Sequence, residues 1–274
     1  MLADLHTHSR YSFDGDPNGT IENMAKAAIA AGLSHLAITD HCDINGEIEG
    51  LHKIPDRDAL FAEVSAAKEA FRGRLEILFG IELGEGPHYP DEALAILEKY
   101  PYDIVLGSVH NLRGEQDFYF FDHSKISEAE AHAYFDRVID ETMEVCDFPK
   151  VKVITHLTYM ERYMFRMGKR LDYTPHKEGL CRLFEKIIDK NLVLELNASD
   201  LAGGYALPPA ELLSLYRECG GTRVCLGSDA HSPELISRNF AAAKKLLLDC
   251  GFTHLTIPTT KGDLTYPIET EVSA

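Results

Sequence analysis

The sequence predicts an α/β fold: a barrel of repeated βα units, with one domain covering residues 1–274. Three observations carry this expectation. Short β-branched or apolar runs alternate with stretches of helical period, the pattern of helices around a largely parallel sheet. No Gly/Ser/Pro-rich linker or shift in composition divides the chain. The length of 274 residues, 45% of them hydrophobic and 26% charged, suits one large core rather than a disordered chain, a stapled scaffold or a repeat array.

The apolar runs place strands near residues 2–6, 35–40, 76–83, 103–109, 151–155, 192–197 and 223–228, with a weaker run over 254–258 expected to add a final strand or pack outside. Ile21, Met24, Ala25, Ala28 and Ile29 share a helical face after a Thr20 cap, and Gly32 stops that helix. Ser127 with Glu130 has the form of a capping box. Pro175 and Pro233 stand where a proline opens a helix, and Pro208-Pro209 precedes another. Two connections are long, 111–126 and 157–173, and loops of that length commonly bind ligands.

Lys and Arg number 27 against 44 Asp and Glu, a formal charge of −17. That balance opposes binding to long nucleic acid, which needs a surplus of cations on one face. No apolar run is long enough to span a bilayer, and Met1-Leu2-Ala3-Asp4 lacks the character of a signal peptide, so a cytoplasmic protein without membrane contact is expected. The six cysteines contain no C-x-x-C pair and are expected to be reduced and mostly packed. Nothing in the sequence marks an oligomeric state.

The chemistry gathers at the ends of the expected strands. Asp4-Leu5-His6-Thr7-His8 ends the first with two imidazoles on one face. Asp40-His41 closes the second, Glu82 the third, His110 the fourth, His156 the fifth, and Ser228-Asp229-Ala230-His231 the last. Parallel strands in a barrel open all these ends onto one rim, where barrel enzymes carry their sites. Imidazoles with carboxylates and no thiolate suit Zn²⁺, Mn²⁺ or Fe²⁺, and eight donors exceed the needs of one ion, so two or three divalent ions are expected, bridged by Glu82 or Asp229. The histidines at 35, 52, 88, 123, 132, 176 and 254 are expected to be solvated or hydrogen-bonded, with His88 and His123 near enough in the chain to line the mouth.

With these motifs in order, the chain resembles the polymerase and histidinol phosphatase (PHP) superfamily along its whole length. The resemblance rests on H-T-H at 6–8, T-D-H at 39–41, Glu82, His110, His156 and S-D-A-H at 228–231. G-S-V-H-N followed by aromatic residues, and the length, resemble the stand-alone L-histidinol-phosphate phosphatases of that superfamily. The resemblance implies a distorted (β/α)7 barrel of the PHP type with a trinuclear metal site at the C-terminal ends of the strands. By the same analogy His6, His8, Glu82 and Asp229 bind one ion, Glu82, His110 and His156 a second, and Asp14, His41 and His231 the third. Amidohydrolases also begin with H-x-H, but they bridge their ions with a modified lysine, and no lysine ends an expected strand here.

The implied activity is metal-dependent hydrolysis of a small phosphorylated substrate, L-histidinol phosphate in histidine biosynthesis, with a metal-bridging hydroxide as nucleophile. Asp229 and Asp40 are the expected catalytic carboxylates, Asp40 by orienting a ligand imidazole or by protonating the leaving oxygen. Arg162 and then Arg10 are the expected phosphate contacts. Asp117, Tyr119, Phe120, Asp122 and Tyr159 on the two long connections offer an acidic, aromatic mouth suited to a cationic alcohol. The alternatives are a nucleotide or oligonucleotide phosphodiesterase of the same superfamily and a noncatalytic PHP binding module.

Overall fold

The computed structural model describes residues 2–260 and 262–269, so Met1, Lys261 and the last five residues of the expected 1–274 domain lie outside the description. Eight strands form the main sheet: β1 (Ala3–Asp4), β2 (His35–Ile38), β3 (His41–Asp43), β4 (Glu76–Gly84), β5 (Ile104–Ser108), β6 (Val153–Ile154), β7 (Val193–Asn197) and β8 (Val224–Gly227). Every pairing among them is parallel, in the order β1-β2-β4-β5-β6-β7-β8, with β3 beside β4. Ile38 pairs with Phe79 and His41 with Glu82, so β3 continues β2 in unbroken register after an interruption at Thr39-Asp40. The seven expected strands are therefore present, the second of them in two pieces.

Closure comes from the backbone just beyond β1. Leu5 N–H donates to Leu226 O at 3.1 Å, Asp229 N–H to His6 O at 2.9 Å and His8 N–H to Ala230 O at 2.8 Å. The first and last strands thus meet through the residues that carry the H-x-H and D-A-H motifs. With both faces covered, the strands are buried almost end to end, which is why they read as unbroken apolar runs.

Helices cover the outside: α1 (Ile21–Ala30), α2 (Ile44–Ile48), α3 (Arg57–Ala70), α4 (Pro90–Lys99), α5 (Glu128–Asp147), α6 (Tyr159–Arg166), α7 (Lys177–Asp189), α8 (Ala210–Glu218) and α9 (Phe240–Asp249). Thr20 caps α1 by accepting Asn23 N–H, and the Ser127–Glu130 capping box opens α5 as expected. Two expectations change. The 157–173 connection contains α6, which buries Met160, Glu161 and Met164 on one face. Ser232-Pro233 starts only a single 3-10 turn, because Ser237 and Asn239 take left-handed backbone angles and Ser237 N–H is drawn to Asp4 Oδ2, so α9 begins at Phe240.

The weak terminal run becomes β9 (His254–Ile257), which pairs antiparallel with β10 (Leu264–Pro267) outside the barrel, and Tyr266 Oη accepts the Ala3 N–H at the foot of β1. All six cysteines are free, with Cys42 fully buried. No helix among the described residues is long and apolar enough to cross a membrane.

Candidate active site

Glu82, with no exposed surface, stands at the centre of the rim. Its Oε1 lies 2.7 Å from His156 Nε2 and 3.2 Å from His110 Nε2, while Oε2 lies 3.2 Å from His6 Nε2, 3.0 Å from His41 Nδ1 and 3.5 Å from His8 Nε2. Asp229 Oδ1 adds a carboxylate 3.3 Å from His8 Nε2 and 3.8 Å from His6 Nε2. On the outer side, Asp14 Oδ2 sits 3.0 Å from His231 Nε2 and 3.7 Å from His41 Nε2. The nine residues expected as ligands are thus brought together by turns and strand ends far apart in sequence. The polypeptide is bent to do so: His156 and Asp229 both adopt positive φ (24° and 52°), a region costly for residues with a side chain.

The donor set fits metal ions. Side-chain atoms of His6, His8 and Asp229, of His6, Glu82 and His156, and of His8, His41 and His231 lie within 4.8 Å of one another in each group. His6 Nε2, His8 Nε2, His41 Nδ1 and Glu82 Oε2 are buried with no hydrogen-bond partner, an arrangement that is unfavourable unless a cation satisfies them. Burial works to lower the pKa of His6, His41 and His110, yet the carboxylates facing them outweigh it and raise all three well above the ordinary value, so these imidazoles carry charge that a cation would displace. Burial works to raise the pKa of Glu82, yet His6, His41 and His110 outweigh it and hold the carboxyl well below its ordinary value. Burial among His41 and His231 pushes His8 down to about 3, so its imidazole is neutral and ready to ligate.

A further ring of polar groups orients these ligands. Glu195 of β7 touches His6 Nδ1 at 2.8 Å through Oε1 and accepts the His156 N–H at 2.8 Å through Oε2. Asp43 Oδ1 lies 3.0 Å from His110 Nδ1, and Ser12 Oγ 3.2 Å from His8 Nδ1. A carboxylate that accepts the N–H of one imidazole nitrogen leaves the lone pair of the other free for metal. Space for the two carboxylates comes from glycines. A Cβ on Gly227 would stand 1.9 Å from Glu195 Oε1, and one on Gly84 2.6 Å from Asp43 Oδ1. Sequence reasoning missed both carboxylates, although each left a signal: Glu195 is a lone charge inside an apolar strand, and Asp43 shares the His41 face at i+2.

A cavity of about 360 Å³ opens above the donors, and Phe13, Asp43, His52, Asp117 and Phe120 join it to a neighbouring chamber of about 830 Å³. Arg162 of α6 reaches in from the wall. Its Nη2 donates to Asp229 Oδ2 and to Ser199 Oγ, each at 3.2 Å, and its buried Nε makes no hydrogen bond but lies 3.6 Å from Asp200 Oδ2. Arg166, one turn on, lines the same cavity and is held by both oxygens of Asp200 at 2.8 and 2.9 Å.

Two other expected residues lie elsewhere. Arg10 turns outward to Glu63 of α3 at 2.8 Å and does not line the cavity. Asp40 is buried beneath the rim, where its oxygens accept Ser9 N–H at 2.5 Å and Ser9 Oγ–H at 2.7 Å. It makes no hydrogen bond to a ligand imidazole and does not line the cavity, so it is placed neither to orient a ligand directly nor to protonate a leaving group. Tyr119, Phe120 and Tyr159 line the cavity, whereas Asp122 faces Lys125 outside it. His52 stacks on Phe13 at the mouth and His88 lines the neighbouring chamber, while His123 packs on Tyr163 beneath the wall.

The profile of the PHP domain family matches residues 4–199. The chain belongs to the PHP domain family. Two relatives match over nearly their whole lengths. A probable histidinol-phosphatase of Clostridium acetobutylicum is 26% identical over 253 residues, 91% of this chain and 94% of that one. A histidinol-phosphatase of Lactococcus lactis is 25% identical over 260 residues, 92% of each chain. The fold is that of a solved histidinol phosphate phosphatase from Lactococcus lactis, a structure complexed with zinc, L-histidinol and phosphate. It superposes with a TM-score of 0.81 at 22% identity over 96% of this chain and 98% of that one.

Proposed function

We propose that this PHP protein is a metal-dependent phosphomonoester hydrolase of the cytoplasm acting on L-histidinol phosphate. The observation that carries the reading is the convergence of eight other histidine and carboxylate donors with Glu82 beneath a cavity that Arg162 enters from the side. The histidinol-phosphatase relatives, matched over nearly their full lengths, support the substrate.

In this reading the donors are shared as the family resemblance implies: His6, His8, Glu82 and Asp229 would hold one ion, Glu82, His110 and His156 a second, and Asp14, His41 and His231 a third. Zinc, manganese or iron ions held there would act as Lewis acids toward phosphate oxygens and provide hydroxide near neutral pH. The chain's own groups do the rest. Arg162 keeps one edge on Asp229 and offers its charge from the cavity wall to the non-bridging oxygens of the phosphate, where charge builds in the transition state. Arg166, clamped by Asp200, adds a second cation on that side. Asp229, tied to His8 and Arg162 and held ionised by them, would accept a hydrogen bond from the attacking water and so orient it. Glu195 and Asp43 hold the rings of His6 and His110 in the tautomer and orientation that ligation needs, and Glu195 also fixes the His156 backbone through its N–H.

The test is phosphate release from L-histidinol phosphate beside other monoesters and bis-(p-nitrophenyl) phosphate, with zinc- or manganese-loaded protein whose bound metal is quantified. Preference for L-histidinol phosphate is expected. Metal-replete protein that favours the diester would move the function to phosphodiester cleavage, and metal-replete protein inert on every ester would make the chain a binding module.

A further inference from the structure

Two of the six cysteines face each other. Cys181 sits in the first half of α7 and Cys219 ends α8, and the Cys219 thiol donates to Cys181 Sγ at 3.4 Å. The described residues hold no other thiol-to-thiol contact: Cys42, Cys146 and Cys225 are buried singly, and Cys250 turns to Ala210 O at 3.7 Å. Packing accounts for the three buried ones, since a buried thiol behaves as a small apolar group. It does not account for the facing pair, whose members are both half-exposed on the helical shell, within reach of a small solute.

The surroundings give the two sulfurs unequal roles. Burial, the neighbouring Cys181 and the carboxylates of Glu185 and Glu218 push the Cys219 thiol up to about 12, so Cys219 keeps its proton and donates. Cys181 receives that hydrogen bond and is the sulfur that meets an oxidant first. The pair is carried on two helices, 38 residues apart in sequence, so the sulfurs stay opposed while either one reacts. A second thiol held ready in this way closes a disulfide ahead of further oxidation.

We propose that Cys181 and Cys219 are a reversible modification site, at which a peroxide oxidises the dithiol to a disulfide that staples α7 to α8. The Cys181 sulfur attacks one peroxide oxygen, the O–O bond breaks, and the departing hydroxide takes up the thiol proton, leaving a sulfenic acid and water. The Cys219 sulfur then attacks the sulfenic sulfur, the S–O bond breaks, and the hydroxide so released carries off the Cys219 proton as a second water. Two thiols lose two electrons and one peroxide gains them. An excess of small thiol reverses the bond by exchange.

The ring that this bond closes runs from 181 to 219 and contains β7. It therefore carries Glu195, which stands behind His6, and Ser199 and Asp200, which hold Arg162 and Arg166. A cross-link across it removes conformations from the unfolded chain and keeps these supports together as temperature rises, while neither cysteine lines the cavity. The inference stands apart from the phosphatase reading.

The test treats zinc-loaded protein, whose metal is redox-inert, with a modest excess of hydrogen peroxide and maps its peptides without reduction. One linked pair containing Cys181 and Cys219 is expected, two hydrogens lighter than the separate peptides and released by dithiothreitol. The melting temperature should rise by roughly 5–10 °C on oxidation and fall back on reduction. Cys181→Ser and Cys219→Ser should each abolish the link and the rise, with bound zinc as in the wild type. Unreacted thiols, a sulfinic acid at Cys181, a link to another cysteine or to a second molecule, or a link that leaves the melting temperature where it was, each overturn the inference.

Discussion

The floor and the wall of the cavity are built on different principles. Floor residues such as His6, His8 and Glu82 have almost no exposed surface, and a second polar group stands behind several of them: Glu195 behind His6, Ser12 behind His8 and Asp43 behind His110. On the wall, Tyr119 and Phe120 are 63% and 59% exposed and rest on loop packing. The contrast separates two duties. Strand ends fix the reacting geometry through backbone register, while loops shape what the chemistry is applied to. Floor substitutions should therefore injure every substrate alike, and outer-wall substitutions should discriminate.

The largest effect belongs to Glu82→Gln, which should remove bound metal and activity together on all esters; full metal content with full activity would break the contrast at its centre. Arg162→Ala comes next. It stands where wall meets floor, and its loss should lower kcat by roughly 10²- to 10³-fold with metal content intact. Turnover unchanged on a phosphomonoester would remove it from the phosphate site.

Glu195→Gln tests the support beneath the floor. It should weaken metal affinity or activity by about 10- to 100-fold, with excess metal restoring part of the rate. Asp40→Asn should lower unfolding stability by about 1–3 kcal/mol, because an amide cannot accept from both Ser9 donors, while the rate per folded molecule stays near wild type. A selective loss of rate without loss of stability would return Asp40 to the chemistry. Arg10→Ala is the smallest, within about twofold in activity, since its exposed pair with Glu63 lies off the cavity.

The floor was legible in the sequence because strand period and strand ends convert local motifs into spatial neighbours. An apolar run that stops at His, Asp or Glu announces both the strand and the rim. The wall was less legible for a related reason. Arg10 follows the H-x-H motif directly, yet the turn after His8 directs it to α3, a partner 53 residues away that no local pattern reveals. Asp40 adjoins His41, but the break between β2 and β3 turns it down to Ser9. The 157–173 connection read as a loop because its arginines and tyrosines interrupt the apolar period, although Met160 and Met164 stand at i and i+4 and seat α6 once Tyr173 and Tyr205 bond to Glu161. Glu195 needed the opposite inference, that a charge inside an apolar strand is kept there by something it must hold.

Closure of the barrel between its first and last strands also sets an order of events during synthesis. Asp229 and His231, which complete the donor set begun by His6 and His8, leave the ribosome more than two hundred residues after them. Until β8 arrives, the backbone groups at Leu5, His6 and His8 lack the partners that align the first two imidazoles. A chain that has made only its early strands therefore holds histidines without that enforced geometry. The long-range contact that closes the barrel is the same one that completes the donor set.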